Sequence, residues 1–138
     1  MEVTVQHLGD VKFEAVTRGH RVMCDQPLDN GGADSGMTPP DFLLASLGSC
    51  AAFYAVQYLR TRNLDASGLE VRVAAEKLKQ PARLGNFRIQ VVCPTVLTEE
   101  QEQGMMRSVH HCLVHNTLLN PPEIKIELEV GEPALNQG

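Results

Sequence analysis

Two stretches of this chain hold a thiol where a thiol could do chemistry. One is "LASLGSCAAF", residues 44–53, in which Cys50 follows the small pair Gly48 and Ser49. The other is "HHCLVHNTL", residues 110–118, in which Cys112 stands behind two imidazoles, with His115, Asn116 and Thr117 close after it. Taken alone, Cys112 is open to four roles: metal ligand, nucleophile, redox thiol or buried apolar residue. The last is the ordinary condition of a free cysteine, and it is the reading for Cys24 and Cys93. No two of the 4 cysteines form a C-x-x-C pair, which removes a zinc ribbon or a thioredoxin-type motif.

The histidines offer the competing chemistry. On a continuous helix His111 and His115 would share a face, as metal-ligating pairs do. Cys112 follows His111 by one residue and points elsewhere, and no further Cys–His pair stands near, so no metal site is expected. His110 and His111 fit a helix C-terminus, where imidazole complements the negative end of the dipole. A Cys–His hydrolase would need an acyl-transfer motif beside Cys112, and none is present.

These thiols must be positioned by the surrounding elements. Residues 2–24 alternate apolar and polar (Val3, Val5; Val11, Phe13, Ala15), the period of half-buried strands, with "LGD" and "RGH" as turns. The Gly- and Asp-rich stretch 25–37 reads as a long surface loop, a place where function often sits. Thr38 is a helix N-cap with Pro39 at the first position and Asp41 at capping-box spacing. From Phe42 to Val56 no residue is charged. Such a helix is expected to be buried on all sides, and the run falls short of the ~20 residues that span a bilayer. Leu69–Val73 and Phe87–Val91 alternate as two strands joined by "KQPARLGN". Thr98 and Gln101 form a capping box opening a second helix, on which Met105, Val109 and Cys112 make an inward stripe. Ile124–Val130 alternates as a last strand after "NPPE". The order β-β-β, α, β-β, α, β is α+β in one domain over 1–138, without repeat or linker.

Composition narrows the function classes. The 138 residues are 43% hydrophobic, ordinary for a folded chain. The net charge of −5 and an aromatic share of 4% with no Trp argue against nucleic acid, which wants basic patches and stacking rings. "MEVTVQHLGD" has no basic-then-apolar signal pattern. No membrane association and a cytoplasmic location are expected, where structural disulfides are rare.

"TPPDFLLASLGSCAAF" resembles the cysteine helix of the OsmC/Ohr family of peroxide-detoxifying proteins, and "HHCLVHNTL" is similar to that family's second cysteine segment. The likeness spans nearly the whole chain and lies nearer the OsmC-like branch than the organic hydroperoxide resistance proteins proper. It implies an OsmC-like fold of antiparallel sheets around two central helices. It implies a thiol peroxidase without cofactor, with Cys50 peroxidatic and Cys112 resolving. Chemically, a thiolate cleaves the peroxide O–O bond, becomes a sulfenic acid, and condenses with a second thiol. A buried thiol needs a nearby cation to be nucleophilic. The family's cation is an Arg from the N-terminal strands of the partner subunit, for which Arg18 is the best match and Arg21 the second. In the hydroperoxide branch a Glu pairs with that Arg. Its position here is Pro40, and Asp41 lies one residue later, turned about 100° on a helix. Asp41 is therefore a candidate acid partner or simply a cap.

Further expectations follow. A helix apolar on every face needs more cover than one small domain supplies, which points to an intertwined homodimer. The apolar surroundings of Cys50 (Phe42, Leu47, Phe53 and Tyr54) would bind an organic hydroperoxide. The disulfide would be recycled by a dithiol reductant, for which the family suggests a lipoyl protein. Cys112, off a helix C-terminus, would have its thiol pKa raised by the dipole. A family member lacking the Arg or the acid would instead be a dimeric binder of small hydrophobic molecules.

Overall fold

A computed structural model describes residues 1–132 of the chain. The N-terminal alternation becomes a three-stranded antiparallel sheet of β1 (Thr4–Gly9), β2 (Lys12–Thr17) and β3 (His20–Cys24). The β2–β3 turn pairs Thr17 with His20 across Arg18 and Gly19, both at positive φ (47° and 80°). A two-residue turn of this kind matches the twist of the strands it joins. Residues 25–37 close on a buried carboxylate. Asp25 is 1% exposed. Its Oδ2 accepts from the backbone N–H groups of Ala33 and Ser35 (both 3.1 Å) and from Ser35 Oγ (2.6 Å), while Oδ1 accepts from Gln26 N–H (2.8 Å). These bonds, the Ser35 hydroxyl foremost, hold the carboxyl well below the usual carboxylate range. The loop is thus a rigid strap from the sheet to the first helix.

That helix, α1 (Pro39–Thr61), starts with the expected capping box: Thr38 Oγ1 accepts from Asp41 N–H, and the Asp41 carboxylate accepts from Thr38 N–H. Its burial differs from expectation. Leu47, Gly48, Ala51, Ala55, Tyr58 and Leu59 form one buried stripe, whereas Phe53 on the far side is 57% exposed. One chain covers one face. The length argument against a membrane span also fails, since α1 has 23 residues and contains an 18-residue window of mean hydropathy 1.5, long and apolar enough by length and composition. In this structure its stripe packs on protein.

The covering layer is the antiparallel pair β4 (Glu70–Leu78) and β5 (Arg83–Val92), longer than the alternation suggested because the stretch Arg83–Asn86 joins the ladder. Val71, Ile89 and Val91 pack on the α1 stripe. A Cβ at Gly48 would come within 3.1 Å of Val73 Cγ2, so this glycine sets the helix–sheet spacing. The second helix, α2 (Glu99–Val109), opens with the Thr98/Gln101 capping box and packs Met105 and Val109 against α1.

Three further points depart from the sequence reading. α2 stops at Val109, so Cys112 lies beyond its last turn. A third helix, α3 (Leu113–Leu119), follows, with Cys112 as its N-cap. The expected last strand is unformed: residues 121–132 have no regular structure, and Ile124, Ile126, Leu128 and Val130 are 73% to 91% exposed. A strand exists by pairing, and no sheet edge among the described residues takes this segment. The result is an α+β fold of antiparallel sheets and three helices.

Candidate active site

The thiols meet where α1 passes the α2–α3 break. Cys50 lies near the middle of α1 and is partly exposed. Cys112 is 1% exposed. Its N–H donates to Val109 C=O (3.1 Å), and its own C=O accepts from Asn116 N–H (3.0 Å). The residue is thus locked between two helices. Both thiols are free. Burial pushes the Cys50 thiol up, but the Cys112 S–H and the backbone N–H groups of Val114 and Leu113 all favour its thiolate, and the net displacement is downward. Burial pushes Cys112 up, and its hydrogen bond to the Cys50 sulfur adds to this. The N–H groups of His115 and Val114 only partly offset them, so the net displacement is upward. The contact between the two thiols and the N–H groups at the start of α3 thus displace their ionisation in opposite directions. The cause at Cys112 is burial and Cys50, in place of the helix C-terminus expected from the sequence.

An apolar cavity of about 470 Å³ opens beside Cys112. Its walls are Leu47 and Ala51 of α1, Phe87, Ile89 and Val91 of β5, Met106 and Val109 of α2, and Leu118 and Leu119 of α3; Cys112, His110 and His115 are its polar part. Of the side chains expected to bind substrate, Leu47 lines this cavity. Phe42, Phe53 and Tyr54 do not, and Phe53 and Tyr54 pack edge to face at 5.4 Å. The histidines pair differently from the sequence reading. His110 and His115 approach to 5.9 Å between ring centroids, while His111 faces a separate groove with Arg62 and Arg107.

The charged candidates lie apart from the thiols within one chain. Arg18 lines a surface hollow with Arg21, Thr4 and Glu2 on the N-terminal sheet. Arg21 pairs with Glu14 at 2.5 Å. Asp41 is engaged at the helix cap, where the Thr38 N–H and hydroxyl lower its pKa. The groups nearest Cys50 that sequence reasoning missed are the main-chain N–H groups of Leu113 and Val114, which no residue-type pattern announces. The β5 wall of the cavity was legible as the period-two face Phe87–Ile89–Val91.

Two neighbouring thiols, one in the middle of α1 and one at the break between α2 and α3, define a dithiol protein of α+β fold. The chain belongs to the OsmC-like protein family, whose sequence model matches residues 31–127. No functionally curated protein matches it. Among solved structures it is similar to an OsmC-like protein from Mycoplasma pneumoniae (18% identity, TM-score 0.75, covering 87% of each chain). It is also similar to an organic hydroperoxide resistance protein, OhrB, of Bacillus subtilis (18% identity, TM-score 0.58, covering 93% of this chain and 96% of that one). A third similarity is to an organic hydroperoxide resistance protein from Legionella pneumophila (14% identity, TM-score 0.58, covering 86% of this chain and 89% of that one). At these identities the likeness is one of fold.

Proposed function

We propose that this protein is a cysteine-based peroxidase that reduces organic hydroperoxides. The observation that carries this reading is the placement of two free thiols, Cys50 and Cys112, side by side within hydrogen-bonding reach of one another. The Cys50 thiolate attacks the peroxide O–O bond, taking OH to become a sulfenic acid and releasing an alkoxide that is protonated to the alcohol. The Cys112 sulfur then attacks the sulfenic sulfur, hydroxide leaves and takes up the Cys112 proton as water, and a Cys50–Cys112 disulfide forms. One hydroperoxide and two thiols give one alcohol, one water and one disulfide. Leu47, Phe53 and Tyr54, one helical turn either side of Cys50, with Phe42 further along α1, favour an alkyl over a hydrogen peroxide.

The assembly is a homodimer of single-domain chains. Three surfaces left uncovered among the described residues support it: the outer face of α1 around Phe53, the apolar side chains of 124–130, and the β1–β3 sheet, which packs substantially on none of the described helices. An obligate interface of this type buries upwards of about 2,000 Å². In such a dimer Arg18 of one protomer supplies the cation beside Cys50 of its partner, and a dithiol such as a lipoyl protein restores the thiols. A second reading, a catalytically weak dimeric binder of small hydrophobic molecules, draws on the 470 Å³ apolar cavity.

Steady-state assays with alkyl hydroperoxides and hydrogen peroxide, each with several dithiols, test the proposal. Turnover that is faster with the alkyl substrate and absent in Cys50→Ser is expected. Equal inactivity of wild type and Cys50→Ser would remove the enzyme reading in favour of the binder.

A further inference from the structure

Acidic residues outnumber Lys and Arg in this chain by 17 to 12, yet one groove gathers bases alone. It runs along the packing of α1 on α2 and has a volume of about 380 Å³. Arg62, Arg107 and His111 line it beside the neutral Gln57 and Thr61, and no carboxylate is in its wall. Glu100, one helical turn before Gly104, stays out of that wall. Neither arginine forms an ion pair among the described residues. The hollow around Arg18 differs on both counts, since Glu2 lines it and Arg21 pairs with Glu14. Clustered like charges repel and cost stability, and no described residue offsets that cost here.

Helix packing sets the spacing of the three groups. The Tyr58 ring packs against Gly104, and Ser108 Oγ donates to Tyr54 C=O (3.1 Å). Numbering therefore falls along α1 as it rises along α2, and the helices run antiparallel. Gly104 has no side chain, and Tyr58 fills the room it leaves. The Arg62 guanidinium lies on that ring, 3.8 Å from its centroid, and its Nη1 donates to Thr61 Oγ1 (3.1 Å). A fixed cation thus stands beside Gly104, where α2 itself supplies none. Arg107 follows Gly104 by three residues and His111 by seven, on one stripe of α2 and of the turn that extends it. At about 1.5 Å per residue the three groups span about 10 Å.

We propose that this groove binds a chain of two or three phosphates, carried either as a free inorganic chain or as the tail of a nucleoside di- or triphosphate. The guanidinium fork matches phosphate oxygens and bonds them with charge assistance. Arg62 is already stacked and hydrogen-bonded, so binding orders it at little further entropic cost. The imidazole of His111 donates an N–H in either protonation state. A phosphate chain carries its charges densely enough to meet all three groups. An extended acidic peptide presents carboxylates on one face only every ~7 Å and would leave one group unmet. The inference is independent of the peroxide chemistry, because Cys50 and Cys112 lie outside the groove.

The test titrates the full, reduced chain with tripolyphosphate and with ATP, in metal-free buffer at low ionic strength, by calorimetry and by amide chemical shifts in NMR. One saturable site is expected, with shifts centred on 57–62 and 104–111 and an affinity that falls as salt is added. Arg107→Gln should lower the affinity about tenfold, the loss of one charged hydrogen bond. Arg60→Gln, an exposed α1 arginine outside the groove wall, removes the same charge and should leave the affinity unchanged. Thermal melts check that both variants fold, and tripolyphosphate should raise Tm clearly in wild type and Arg60→Gln and much less in Arg107→Gln. Tighter binding of ATP than of tripolyphosphate assigns the site to a nucleotide, and binding no tighter assigns it to the phosphate chain alone. Shifts centred on Arg18 and Arg21, equal losses in the two variants, tighter binding of hexaglutamate than of tripolyphosphate, or no binding of either phosphate probe at millimolar concentration would overturn the inference.

Discussion

Gly104→Ala separates helix propensity from packing at the point that aims Cys112. In the interior of α2 this change should stabilise the helix by about 1 kcal/mol on propensity alone. The site forbids it. An added Cβ would stand 2.5 Å from Tyr58 Oη and 2.7 and 2.8 Å from ring carbons. Tyr58 cannot swing away easily, because it is 6% exposed and the Arg62 guanidinium stacks over its ring at 3.8 Å. Restoring an ordinary contact of about 3.5 Å requires α2 to retreat by about 1 Å. Overpacking of this kind costs about 1–3 kcal/mol, so the net loss is roughly 0–2 kcal/mol, or a fall of a few degrees in Tm. The larger effect should be kinetic. α2 ends three residues before Cys112, and a displacement of about 1 Å in a reacting group can slow a step about a hundredfold. Urea unfolding followed by circular dichroism gives the stability change, and stopped-flow quenching gives the rate of disulfide closure. Adding Tyr58→Phe removes the nearest clashing atom and should restore part of both. A Gly104→Ala protein as stable as wild type, closing its disulfide at the wild-type rate, would refute the argument that Tyr58 and α2 set the thiol spacing.

Other expectations are more compact. Cys112→Ala removes a donor to Cys50, so the pH profile of Cys50 alkylation by iodoacetamide should move to higher pH, and peroxide should leave a sulfenic acid that dimedone captures. An unmoved profile would show that Cys112 does not support the thiolate. Asp25 has a depressed pKa, so its contribution is present above the unfolded value of 3.8 and is lost as pH falls below it. Asp25→Asn should therefore destabilise at pH 7, and its difference from wild type should narrow steadily as pH falls below 3.8, whereas a pH-independent difference would contradict the anchor. Ile126→Asp with Leu128→Asp places charges on the unpaired apolar face of the C-terminal segment, and sedimentation at micromolar concentration should show loss of the dimer. A wild type that is itself a stable monomer would remove the assembly.

How much of this was legible in the sequence depends on the range of the interaction concerned. Both capping boxes, Thr38/Asp41 and Thr98/Gln101, involve residues three apart and were readable as such. So were the hairpin turn at Arg18–Gly19 and the period-two strands. The seven residues of α3 are too few for a helical period to emerge, and the break that makes Cys112 an N-cap went unseen with it. The strap 25–37 read as a loop, yet nothing in its composition revealed that Asp25 would be buried at its centre. The donors facing Cys50 are main-chain groups, identical at every non-proline residue, so residue types could not mark them. The outer face of α1 read as buried and the segment 124–130 as a half-buried strand, because their patterns are those of such elements. Among the described residues of one chain they have no cover, and the information on what covers them is not local.

The account turns on two sulfurs acting as one unit. The direct measurement is addition of one equivalent of cumene hydroperoxide to the fully reduced protein, followed by thiol counting and peptide mapping by mass spectrometry. The account predicts loss of two thiols per chain and a single cross-linked peptide joining Cys50 to Cys112. Retention of all four thiols, or a cross-link from Cys50 to Cys24 or Cys93, would contradict it.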